Sequence, residues 1–100
     1  MKLIDLVNAR ASLQKLVSQD LPIRTAYNLM LLIEDCNKHL EFYGNEIGKF
    51  DAEKDTARLE ELNNLEIKRD RVSVTADDNL KLSASDVKML LPLIEFGGLT

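Results

Sequence analysis

The sequence predicts a mainly α fold with a small β element: an antiparallel helical hairpin with one very long helix, a short strand or hairpin, and a capping C-terminal helix. Three observations predict it. Ala26, Leu29, Ile33, Cys36, Leu40, Tyr43, Ile47 and Phe50 recur at alternating steps of three and four residues, the spacing of a and d positions in a heptad. Leu21-Pro22 lies between that seam and an earlier apolar-periodic segment, so a short link should fold one helix back on the other. Between Val72 and Ala76 the period changes to two and β-branched residues become frequent, as in a strand.

The first helix is expected over residues 3–18, with Leu3, Leu6, Val7, Leu13, Leu16 and Val17 on its apolar side. Pro22 disfavours helical geometry at Leu21 yet fits the first turn of a new helix, where its missing N–H would be unpaired anyway. The long helix is therefore expected over 22–50. Its seam covers about seven turns and must be covered by another helix. Gly44 and Gly48 fall inside its last turns. They either let a second backbone approach closely or mark where the helix frays.

Residues 51–65 form a charged connector with leucines at 59, 62 and 65, helical over Thr56–Leu62 and stopped by Asn63-Asn64. The strand is expected within 66–75, followed by turn chemistry at Ala76-Asp77-Asp78-Asn79 and a candidate return strand at 80–82. The C-terminal helix is expected over 83–96. Ser83 is its N-cap, Asp86 the N3 acid of a capping box, and Leu82 and Val87 the hydrophobic staple. Pro92 should kink or end that helix, since it cannot donate to the carbonyl of Lys88.

One hundred residues with 45% apolar and 30% charged side chains describe one ordinary globular domain with a modest core. Residues 1–50 carry six basic and six acidic side chains, and residues 51–100 carry seven against eleven, which supplies the whole net charge of −4. Neither half offers the basic surface that neutralises a row of phosphates. The single Cys36 excludes an internal disulfide. Asp5 and Asn8 interrupt any apolar stretch of signal-peptide length, and no run approaches a membrane span. A cytoplasmic location is the expectation.

No constellation for catalysis emerges. Cys36 and His39 lie one turn apart, but zinc needs three or four protein ligands and the chain has no other Cys or His. Asp51, Glu53 and Asp55 alternate like a calcium loop, yet Thr56 stands at the glycine position and Leu62 at the bidentate glutamate. Ser83 and Ser85 have no histidine to activate them. The expectation is no enzyme, no cofactor and no metal. Lys68, Arg69 and Arg71 form the one basic cluster, broken by Asp70. On a strand edge they would guard against aggregation or steer an acidic partner.

The order of segments resembles a group of small proteins of tailed bacteriophages and prophages that carry no assigned activity. The resemblance rests on Val7-Asn8-Ala9 followed by Leu13-Gln14-Lys15-Leu16, on the junction Leu21-Pro22-Ile23-Arg24-Thr25-Ala26-Tyr27, and on the stretch from Leu82 to Ile94. It implies a phage-encoded protein in a bacterial host cell. The functional expectation is a non-catalytic interaction or assembly protein, acting as a virion component or as an inhibitor of a host system. Self-association or a protein partner would engage the seam at Leu29, Ile33, Leu40, Tyr43, Ile47 and Phe50, or the edge at Lys68, Arg69 and Arg71. The alternative is a nucleic-acid or nucleotide-signal binder built on those same three basic residues.

Overall fold

The computed structural model describes residues 1–75 and 80–97, so the turn expected at 76–79 lies outside the described residues. Four helices and two short strands follow in the order α1 (Leu3–Val17), α2 (Ile23–Ile47), α3 (Thr56–Asn63), β1 (Val72–Thr75), α4 (Ala84–Leu90) and β2 (Ile94–Gly97). The fold is mainly helical, with one two-stranded parallel sheet.

Helix α1 organises the core. Leu3, Leu6, Ala9, Ser12, Leu13 and Leu16 form its buried face, which packs against α2, α3 and, most extensively, α4. Asp5, in the first turn, accepts the backbone N–H of Lys2 at 3.0 Å, satisfying a donor the helix start leaves free. The residues before α1 run antiparallel to a second extended segment. Lys2 bridges Glu66, with Leu3 N–H donating to the Leu65 carbonyl and Ile67 N–H to the Met1 carbonyl, both at 2.8 Å. Ile67 is thereby carried into the core.

Helix α2 has 25 residues, about 37 Å at 1.5 Å per residue, against about 22 Å for α1. It overshoots its neighbour, and the molecule is elongated at 46 × 24 × 21 Å. Its helical hydrogen bonding passes through Gly44 and stops at Gly48, whose N–H donates to the Gly44 carbonyl. The expected helical stretch 48–50 is a turn. Among the described residues nothing lies within 4 Å of a Cβ built at Gly44, so none of them uses the close approach that Gly44 would permit.

The connector into α3 is capped by its own acids. The Asp51 carboxylate accepts the Glu53 N–H at 3.0 Å, and Asp55 accepts the Arg58 N–H at 3.2 Å. These are turn and N-cap roles that short acidic side chains fill well.

Two expectations for the C-terminal third are corrected. The helix expected over 83–96 spans only Ala84–Leu90, and Ile94–Gly97 is a strand. Pro92 has no N–H to extend the helix, and the β-branched and aromatic pair Ile94 and Phe96 then suits an extended backbone. The return strand expected at 80–82 is likewise absent; those residues are neither helix nor strand. The partner of β1 is β2, in parallel register Val72↔Ile94 and Val74↔Phe96, with α4 in the crossover, as parallel pairing requires. The backbone at Lys81 is instead satisfied by a side chain: Gln19 Nε2 donates to its carbonyl at 2.9 Å and Gln19 Oε1 accepts its N–H at 2.7 Å. The capping box read from Ser83 and Asp86 is present, with both reciprocal hydrogen bonds at 3.1 Å.

Candidate functional site

Two of the three basic residues of the expected cluster are hydrogen-bonded within the fold, while Lys68 and Arg71 remain exposed. Arg69 Nη1 donates to Asp35 Oδ2 on α2 at 2.7 Å, and Arg71 Nη2 donates to the Ile94 carbonyl at 3.0 Å. Arg69 thus pins the segment before β1 to α2, and Arg71 ties it to β2. Lys68 alone is exposed with no ion pair or hydrogen bond among the described residues. The sequence pattern placed three like charges on one segment; the tertiary structure distributes them to three different surroundings.

The heptad seam is covered unevenly. Leu29 and Cys36 are buried, whereas Ile33, Leu40, Tyr43, Ile47 and Phe50 are half-buried against the core and Ala26 is exposed. Leu32, outside the seam, is wholly buried. The far end is closed by the same chain: Tyr43 donates to Asn63 at 2.8 Å, and the Arg58 guanidinium lies 4.9 Å from the centre of the Phe50 ring, a cation–π distance. Both contacts come from helix α3.

Cys36 lies beneath the Asp35–Arg69 pair. Burial pushes its thiol up to about 11, only partly opposed by the Arg69 charge, so it is an unreactive core thiol at neutral pH. His39 Nε2 lies 3.7 Å from the same Asp35 oxygen that Arg69 holds. Among the described residues there is no group of three or more His, Cys, Asp or Glu side chains arranged to hold a metal ion.

A second polar hub joins α1 to α4. The buried Asp86 carboxylate accepts from Ser12 Oγ at 2.8 Å, from Lys15 Nζ at 3.1 Å and from the Ser83 N–H at 3.1 Å. These donors, Ser12 foremost, hold its carboxyl well below the usual carboxylate range against the opposing effect of burial. The contacts with Ser12 and Lys15 tie α4 to α1.

Four of the eight exposed large apolar side chains among the described residues lie on the first half of α2. Ile23 is 89% exposed, Tyr27 56%, Met30 46% and Leu31 42%. At 100° per residue these four fall within an arc of about 100°, on the face opposite the buried stripe of Leu29, Leu32 and Cys36. Between the two runs an apolar groove of about 260 Å³, lined by Val17, Leu21, Ala26, Leu29, Met30 and Ile33, with Glu34 at its end. A helix apolar on nearly all sides normally has neighbours on all sides; here none of the described residues covers the outer side. The period of the sequence did contain this signal. Ile23, Tyr27, Met30 and Leu31 are spaced by four, three and one residues, which places them on one side of a helix and off the seam.

Comparison with family models, with curated proteins and with solved structures found no match for this chain. No helix among the described residues is long and apolar enough to cross a membrane.

Proposed function

We propose that this chain is a non-catalytic protein-binding module whose docking surface is the outer face of the first half of α2. The observation that carries the reading is the contiguous exposure of Ile23, Tyr27, Met30 and Leu31 on one helix. Apolar surface kept in water costs about 25 cal/mol per Å², and contiguous patches of this kind mark contact sites. Tyr and Met are also side chains favoured at interface centres. The reading takes α1 and α2 as an antiparallel pair, with the long arm of α2 presenting its outer face. Following the resemblance to small phage proteins, it has the protein act in the cytoplasm of an infected bacterium, as a virion or assembly component or as an inhibitor of a host system.

The test is site-specific photocrosslinking in the producing cell. A photoreactive phenylalanine analogue at Tyr27 or Met30 should yield a discrete protein adduct, while the same analogue at Glu53, on the connector far along the chain, should not. Absence of any adduct from either α2 position would end the reading.

A further inference from the structure

We infer that the occupant of this face is a second copy of the same chain, packed as an antiparallel α2–α2 pair about a two-fold axis; the inference rests on the docking reading above. Three observations select this occupant.

The patch is one continuous surface. The exposed run of Ile23, Tyr27, Met30 and Leu31 adjoins the groove lined by Leu29, Ile33, Val17 and Leu21 through Met30. A two-fold contact apposes one surface with itself, so the run of each copy covers the run of the other.

The patch is self-complementary in charge, in one direction only. It is bounded by exposed Arg24 near its start and exposed Glu34 near its end, and among the described residues neither has an ion-pair partner. Its apolar residues run from Ile23 to Ile33, and the midpoint of Arg24 and Glu34 falls at Leu29, within about one residue of the patch centre. An antiparallel pair crossing there sets Arg24 of each copy level with Glu34 of the other, twice over. A parallel pair would set Arg24 against Arg24 and Glu34 against Glu34, which like-charge repulsion disfavours.

The area is of the right order. At about 150–250 Å² for a large side chain, full coverage of the four exposed fractions buries roughly 350–600 Å² per chain. Doubled across the axis, this is about 700–1,200 Å², a range that spans the ~1,000 Å² of a specific interface.

The experiment measures the mass of the purified full chain by light scattering across a concentration series reaching high micromolar, with far-UV circular dichroism as the control for folding. The wild type should pass from monomer to dimer. E34R should weaken association about tenfold or more, because both rim pairs become repulsive, and R24E/E34R should restore it. M30E, at the patch centre, should stay monomeric with its helical spectrum intact. A wild type that remains monomeric throughout overturns the inference, as does a dimer that ignores both M30E and E34R. A dimer that E34R weakens but the double exchange fails to rescue overturns the antiparallel arrangement. Crosslinking separates this failure from that of the parent reading: an adduct at Tyr27 with a different protein, together with a monomeric wild type, sinks the second copy and leaves the docking face standing.

Discussion

Leu31 and Leu32 are neighbours on α2 whose truncation should have very unequal consequences. Leu32 is 0% exposed and Leu31 is 42% exposed. Leu→Ala changes helix propensity identically and favourably at both positions, so any difference between the variants reports burial alone. At Leu32 the substitution removes buried carbon atoms and leaves a cavity among α1 and α2 side chains. The lost transfer energy and the void together cost about 2–5 kcal/mol. For a domain of this size about 4–8 °C of melting temperature follows each kcal/mol, so Leu32→Ala should melt at least about 8 °C lower. Against a total stability of about 5–15 kcal/mol, it should still fold. Leu31→Ala should lie within about 0.5 kcal/mol of wild type. The assay is thermal and urea unfolding followed by circular dichroism on dilute protein, repeated at two concentrations so that self-association is read as a concentration dependence. Equal losses for the two variants at low concentration would refute the assignment of faces on α2, and the docking surface with it.

Other predictions follow from single contacts. Ser83→Ala removes the N-cap acceptor of α4 and should cost about 0.5–2 kcal/mol, whereas Ser85→Ala should cost less; equal melting temperatures for wild type and Ser83→Ala would refute the cap. Because the Asp86 carboxyl titrates lower folded than unfolded, its contribution is complete above the unfolded value near ~3.9 and is lost as pH falls below it. Acid unfolding of Asp86→Asn should therefore show a flatter dependence below about pH 4 than wild type, and superimposable acid limbs would show that the hub contributes nothing. Cys36, buried with its thiol raised to about 11, should react with a thiol reagent only at the rate of unfolding, and fast labelling of native protein would contradict its burial. Arg69→Ala should destabilise by breaking the 2.7 Å link to Asp35, whereas Lys68→Ala should be neutral; the two melting temperatures decide this.

Local pattern determined what local physics controls. The capping box at Ser83 and Asp86 was readable because a cap involves residues three apart. The break at Leu21-Pro22 and the helix through Cys36 and Leu40 were readable because proline chemistry and apolar period act within a turn or two. The strand at Val72–Thr75 announced itself by alternation and branching. Its partner did not. Ile94–Gly97 is short and follows a helix directly, and only parallel pairing across the α4 crossover makes it a strand. Still greater distance in sequence hid the Gln19–Lys81 bridge, the Lys2–Glu66 pairing and the Ser12–Asp86 contact, each joining residues more than sixty positions apart.

The candidate site divides the same way. Sequence period alone marked α2 as a helix that needs covering, but an apolar residue is the same letter whether its neighbour is the chain's own core or a partner. Tertiary packing decided that α3 closes the far end at Tyr43 and Phe50, that Asp35 takes Arg69, and that α1, some ten residues shorter than α2, covers only one side of the long helix. What stays uncovered at Ile23, Tyr27, Met30 and Leu31 is therefore a property of the assembled fold: helices of unequal length and limited width cannot bury every apolar face that their sequence provides.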